Sequence, residues 1–427
     1  MKRIILLAAA ILPTVSAFSQ NWVEDSVFVT SYGKKIYYSL ENGQVGDVPT
    51  NAHDLEFSTK GFSATIRLNN AGQTGVTTRL YSVVGDTTTF TAVWDTTGMA
   101  DGSNAQFVRC LDADSLWEQS AFEFGATGHP DYGWGTYNDQ THNVIGKKVF
   151  LFKTRTGAWK RVWIRNLMSA AGTYNIRIAD FDGSNIEDIS INKSGLTSKA
   201  FLYYDFDNNT TSNPEPDKNT YDLVFGRYIN ANPNDNVYGL AVTGVLLNDG
   251  VKAVEVKGLP AEDADYLDYT LSDNISAIGD KYKALDYVTF QWYVYDSTSY
   301  FISDVNQNIW QIKFTRFGGT TTGLNKFMKR QVGFASVEEY QTIPSIAVFP
   351  NPATENVNLV YTSTENSNMS VQIIDLAGRT VYAQNFASNA GLNNINLNLS
   401  QISNGGMYIL RMTDGKTVRT EKIMIQR

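Results

Sequence analysis

The sequence predicts an all-β protein, and three observations carry that prediction. Tyr, Phe and Trp together number 53, and Thr and Asn are plentiful while helix-forming residues are sparse; this mixture favours strands and turn-rich loops. Apolar side chains near the C-terminus alternate with period two, as in Val357, Leu359 and Tyr361, which lines one face of a half-buried strand. Elsewhere, short aromatic or aliphatic runs end at Gly, Asn or Asp, the punctuation that antiparallel hairpins require. A chain of 427 residues predicts two to four domains.

The first element is an export signal over residues 1–19. Lys2 and Arg3 precede an apolar run from Ile4 to Leu12, and small residues follow at Ser16, Ala17 and Ser19. The run is too short for a stable membrane anchor and reads as a leader for the Sec translocon, cleaved after Ser19 or after Ala17. Cys110 is the sole cysteine, so no lipid-bearing cysteine follows cleavage and no internal disulfide can form. Nothing after residue 20 is apolar enough to form a transmembrane segment. Net charge is −8 with no basic block, which argues against nucleic acid as a partner.

The next region, residues 20–335, reads as one pattern built twice, over 20–195 and 196–335. In the first half Ile36-Tyr37-Tyr38-Ser39-Leu40 is followed by His53-Asp54-Leu55-Glu56-Phe57. Then come Val149-Phe150-Leu151-Phe152, a turn at Gly157, and Trp159-Lys160-Arg161-Val162-Trp163-Ile164. In the second half Phe201-Leu202-Tyr203-Tyr204 is followed by Tyr221-Asp222-Leu223-Val224-Phe225. Then come Tyr300-Phe301-Ile302, Asn306-Gln307-Asn308, and Trp310-Gln311-Ile312-Lys313-Phe314. The stretch from Ser212 to Asn219, with Pro214 and Pro216, reads as a polar loop.

A linker over 336–344 ends at Pro344 and leads into a last domain over 345–427. Ile395, Leu397 and Leu399 alternate there, as do Tyr408, Leu410 and Met412. Pro350 and Pro352 cannot donate ladder hydrogen bonds and mark the entry to a strand. Gly378 and the Gly405-Gly406 pair supply turns. The expected result is a small Ig-like β-sandwich. The motif order Val348-Phe349-Pro350-Asn351-Pro352, Ile374-Asp375-Leu376-Ala377-Gly378-Arg379, Gly405-Gly406-Met407-Tyr408 and Lys422-Ile423-Met424 resembles the type IX secretion-system C-terminal sorting domain of the phylum that includes Bacteroides. That resemblance implies delivery by the type IX translocon and sorting machinery to the outer-membrane surface or the medium. It makes Pro350, Asn351, Pro352, Asp375, Gly378, Gly406, Tyr408 and Lys422 the signal residues.

The aromatic strand, the Asp-Leu step and the hairpin Lys153-Thr154-Arg155-Thr156-Gly157-x-Trp159-Lys160 resemble the HmuY-like family of secreted haem-binding proteins. The resemblance implies a duplicated antiparallel HmuY-like β region, a non-catalytic role and haem as a candidate cofactor. Haem held at both axial positions needs two ligands. His129 and His142, near Tyr132, Trp134 and Tyr137, are the candidates, with Met99 and Met168 as alternatives. The competing reading leaves both histidines solvated around a tight Gly133-Trp134-Gly135 turn and the methionines filling gaps. His53 reads as packed at a strand end.

Asp180-x-Asp182 and Asp205-x-Asp207 place oxygens at alternate positions as calcium loops do, but neither completes an EF-hand, and both fit ordinary turns. Asp25-Ser26-Val27, Asp86-Thr87-Thr88 and similar tripeptides resemble the O-glycosylation signal of the same phylum. No nucleophile elbow, zinc-binding helix or phosphate-cradling glycine loop is present, so no catalytic residues are named. The functional expectation is a secreted or surface binding protein for haem, with an adhesin or glycan-binding protein as the alternative.

Overall fold

The computed structural model describes residues 21–70, 78–99, 102–230, 239–334, 345–363, 365–375, 378–414 and 418–427. The leader segment 1–19, the linker 336–344 and the Leu376-Ala377 part of one motif lie outside them. Apart from a few single helical turns, the described residues form antiparallel strands in two compact units, 1–334 and 335–427. The all-β expectation holds.

The first unit contains two lobes, each a sandwich of an outer and an inner sheet. The inner sheet of one lobe runs Thr210–Ser212, Phe201–Asp205, Leu55–Ser58, Ile66–Leu68. Its outer sheet centres on Val149–Lys153, Trp159–Met168 and Thr173–Asp180, and Phe57, Ile66, Phe150, Ile164 and Tyr174 fill the core. The inner sheet of the other lobe runs Leu240–Leu247, Leu223–Asn230, Lys34–Ser39, Gly43–Pro49. Its outer sheet runs Val23–Phe28, Leu324–Phe334, Asn308–Phe317, Thr298–Ser303, Lys252–Lys257, over a core that includes Ile36, Tyr38, Phe225, Tyr300 and Phe327.

The inner sheets exchange strands between the repeated patterns. Lys34–Ser39 pairs with Leu223–Asn230, whereas Phe201–Asp205 pairs with Leu55–Ser58. The aromatic strand of each half thus joins the Asp-Leu strand of the other. The contacts correspond one for one. Asp54 N–H donates to the Tyr204 carbonyl and Asp222 N–H to that of Tyr38, at 2.8 and 2.9 Å. The Asp54 carboxylate accepts the N–H groups of Phe206 and Arg155, and that of Asp222 accepts those of Leu40 and Val305. Asn69 and Asn248 N–H return to the Asp54 and Asp222 carbonyls. The outer hairpins also match, because Thr154 and Asp304 N–H bond to the carbonyls of Ala158 and Asn308. That register sets Ala158 against Asn308, so Trp159 corresponds to Ile309 and not to Trp310.

The central inner strands Leu55–Ser58, Phe201–Asp205 and Leu223–Asn230 are buried on both faces, which explains their apolar runs. Ile36 and Tyr38 face the lobe core, while Tyr37 packs with Val48, Phe201, Tyr203, Tyr221 and Val224 between the lobes.

The second unit is a seven-stranded sandwich. One sheet runs Ser345–Phe349, Asn356–Ser363, Gly391–Asn398, and the other Thr380–Ser388, Ser367–Ile374, Gly406–Thr413, Val418–Ile425. Val357, Leu359, Tyr361, Leu397, Leu410 and Met412 form its core, as their alternation predicts. Among the described residues no helix is long and apolar enough to cross a membrane.

Candidate functional site

Each lobe carries a hairpin immediately before an equivalent outer strand. The first finger pairs Gly135–Asn138 with Asn143–Gly146, and the second pairs Lys283–Asp286 with Gln291–Val294. Their turns are built alike. His142 N–H donates to the Asn138 carbonyl at 2.8 Å, and Phe290 N–H to that of Asp286 at 2.7 Å. The Asn138 side-chain oxygen accepts Gln140 and Thr141 N–H; Asp286 accepts Val288 and Thr289 N–H. The Thr141 and Thr289 hydroxyls donate to the same two side chains. His142 and Phe290 both adopt positive φ, 56° and 55°, a conformation bulky residues rarely take. The shared scaffold therefore presents Asp139, Gln140 and His142 on one finger and Tyr287, Val288 and Phe290 on the other.

The first finger brings the two histidines together. The ring of His129 lies 5.1 Å from that of Tyr137, and the Tyr137 hydroxyl lies 2.8 Å from His142 Nδ1. Both histidines are exposed. In the tautomer whose Nδ1–H donates to the tyrosine, His142 has Nε2 open to a metal, the arrangement in which an outer partner orients a ligating imidazole. Met168 is 44% exposed at the end of the strand that pairs with this finger. Met99 packs instead beside Phe90, Trp94 and Phe107 in a separate apolar cluster. Trp134 is fully buried and donates its indole N–H to the Ala64 carbonyl, so it supports the finger from below. Gly133 makes the tight turn: φ is +73°, and a Cβ there would stand 2.6 Å from the Glu123 backbone.

The calcium candidates are engaged otherwise. Asp180 holds Lys160 at 2.6 Å, and Asp182 accepts the N–H and hydroxyl of Ser184 in a tight turn. Asp205 and Asp207 hold Arg155, whose guanidinium also reaches Asp54. A cation does sit among these carboxylates, and it belongs to the protein.

Between the lobes lies a polar network that sequence reasoning missed. Tyr37 and Tyr203, corresponding positions in the two aromatic strands, meet hydroxyl to hydroxyl at 3.0 Å, and both donate to the carboxylate of Glu215. Phe201 N–H donates to its other oxygen. His53 stacks on Tyr203 at 3.6 Å, as Tyr221 meets Tyr37 edge-on at 4.8 Å. Glu56 accepts from Lys35 and lies 2.9 Å from His53 Nε2. Burial opposes ionisation of Glu56, yet Lys35 and His53 outweigh it and hold its pKa at about 2. Burial raises the pKa of Glu215 and lowers that of His53. Glu215 lies within the Ser212–Asn219 stretch, whose composition signals only a loop.

The cleft beside this network, lined in part by Lys35, Glu56, Trp117 and Tyr228, has a volume of about 70 Å³. A more open hollow of about 640 Å³ lies by Asp25, Trp310, Lys329 and Arg330, whose polar groups are already paired.

In the second unit two of the signal residues, Asn351 and Lys422, make a joint between its ends. The Asn351 side chain donates to the Lys422 carbonyl and accepts Met424 N–H, both at 2.8 Å. Pro350 and Pro352 flank it, exposed. Asp375 accepts from Arg379 across a turn with Gly378 at φ +81°. Tyr408 donates to the Asn404 carbonyl beside Gly406.

This unit is a protein-export module: residues 347–426 match the secretion system C-terminal sorting domain. The protein is thus a cargo of the type IX secretion system, delivered to the cell surface or beyond. No curated protein matches the chain. Two solved structures from Porphyromonas gingivalis are similar at low levels. Dimeric latent PorU shares 10% identity at a TM-score of 0.18, covering 67% of this chain and 32% of its own. PorZ, a surface component of the type IX secretion system, shares 12% at 0.16, covering 76% and 46%. The chain therefore spans less than half the length of either.

Proposed function

We propose that the two-lobed unit is a non-catalytic extracellular binding protein of the HmuY-like type, with haem as its ligand at the first finger. The observation that carries this reading is the convergence of His129 and His142 on Tyr137 at an exposed hairpin. His142 would ligate through Nε2, and His129 or the nearby Met168 would supply the second ligand. The non-catalytic part draws support from the reactive groups elsewhere. Cys110 is fully buried, and burial pushes its thiol up to about 11; a thiol so placed is inert. Both oxygens of Glu215 are occupied in holding the lobes together.

Titrating the mature secreted chain with haemin should give a saturable, shifted Soret band. His142→Ala should abolish the shift, and Tyr137→Phe should weaken it about tenfold, the scale of losing an outer partner. The broad spectrum of free haemin at every ratio would rule haem out.

A further inference from the structure

We propose that the second finger, with its Tyr287–Phe290 tip, is a docking element for a neutral carbohydrate chain. The inference stands apart from the haem reading and begins from an internal control. The two fingers share one turn, and the first builds it with Asp139, Gln140 and His142 at the tip. Backbone geometry therefore does not ask for Tyr287, Val288 and Phe290, which are 80%, 88% and 73% exposed. Residues 287–295 hold five aromatic side chains, and Trp292, Tyr293 and Tyr295 are also exposed. Exposed aromatic residues gathered on one hairpin of an exported protein mark a contact surface.

The finger is stiffly mounted. Asp286 ties the tip through three hydrogen bonds, and Trp292 packs edge-on against Phe317 at 5.0 Å. Beneath it Lys283 is buried, donating to the Thr243 carbonyl under the rings of Tyr282, Trp292 and Phe317. A turn held in place before contact loses little backbone entropy on binding.

Charge and polarity select the occupant. Along the finger segment Asp280, Asp286 and Asp296 stand against Lys281 and the buried Lys283, a net negative balance that disfavours an anionic polymer or bilayer. Tyr287, Tyr293 and Tyr295 each end in a hydroxyl, and no hydrogen bond ties the Tyr287 hydroxyl or the Gln291 amide to another described residue. Hydrocarbon would strip these groups of water without replacing it. A neutral sugar chain offers both the apolar faces that rings cover and the hydroxyls that the polar tips need.

The test is affinity electrophoresis of the mature chain through gels containing neutral glucans, mannans, galactans or xylans. Polyuronate gels and zwitterionic phospholipid vesicles serve as comparisons. At least one neutral polysaccharide should retard the protein, and the Tyr287→Ala/Phe290→Ala variant should bind about tenfold more weakly, the loss expected for two stacking rings. His142→Ala should leave retardation unchanged, which separates this site from the haem site. The altered side chains are exposed, so an unchanged thermal midpoint will confirm that the variant folds. Retardation by none of the neutral gels, equal retardation of the double variant, or binding to the vesicles alone would each overturn the proposal.

Discussion

Replacing Asp54 by alanine is expected to destabilise the two-lobed unit by about 3–5 kcal/mol, and Asp222→Ala by a similar amount. Each carboxylate is buried and accepts two backbone N–H groups from segments far away in sequence, Arg155 and Phe206 for Asp54, Leu40 and Val305 for Asp222. An alanine leaves both donors buried without a partner, at about 1–3 kcal/mol each, and the shared strand junction loosens with them. The two sites differ in one respect. Arg155 stands beside Asp54 at 3.2 Å, while among the described residues no cation bonds to Asp222; burial raises the pKa of both, that of Asp222 to about 6.

That shift has a definite sign. A carboxyl whose folded pKa exceeds its unfolded value contributes stability below the unfolded pKa and loses it as pH rises through the folded one. Asp222 should therefore make the protein about 2–3 kcal/mol less stable at pH 7 than at pH 4, all else equal. Urea unfolding followed by tryptophan fluorescence checks both statements. Asp222→Ala should flatten the profile between pH 4 and 7, and an unchanged slope would refute the assignment.

Glu215→Ala is expected to cost about 3–5 kcal/mol as well, and to act between the lobes. It removes the acceptor of the Tyr37 and Tyr203 hydroxyls and of Phe201 N–H; one hydroxyl can still donate to the other, which leaves two buried donors without a partner. Tyr37→Phe and Tyr203→Phe should each cost about 1–2 kcal/mol, and the double change should cost clearly less than their sum. Groups that share one acceptor and one another are not independent. Strict additivity in that cycle would mean that the hydroxyls do not act as a unit. Glu215 also titrates in the sense of Asp222: burial raises its pKa, so its contribution is largest in acid and falls as pH rises. Glu56 runs the other way: its contribution is full above the unfolded value of 4.5 and is lost progressively as pH falls from there to about 2.

How far the sequence could be read depended on whether one face or two were buried. In the C-terminal unit one face of each strand meets the core, so Val357, Leu359 and Tyr361 alternate and the sandwich is legible. Strands such as Phe201–Asp205 are buried on both faces, and their sequence says strand without saying what either face meets. The Asp-Leu step was visible twice, but its task was not, because each carboxylate caps segments up to 182 residues away. Glu215 was hidden for the same reason: its partners Tyr37 and Tyr203 are set by tertiary packing, and its own neighbours are proline, serine and asparagine. His129 and His142 read as candidates because they share a loop-rich segment, and Tyr137 lies against both rings. The second finger escaped notice because aromatic residues in a chain so rich in them read as core.

The second unit addresses the protein and the first unit is carried. Each has its own hydrophobic core, so removing residues 345–427 should leave the cargo folded and change only where it goes. The direct measurement compares the full chain with the shortened one in a host that has type IX secretion, by fractionation and by protease treatment of intact cells. The full chain's cargo should appear at the surface or in the medium, and the shortened chain should remain folded and protected in the periplasm. Equal appearance of both outside the cell would contradict the account.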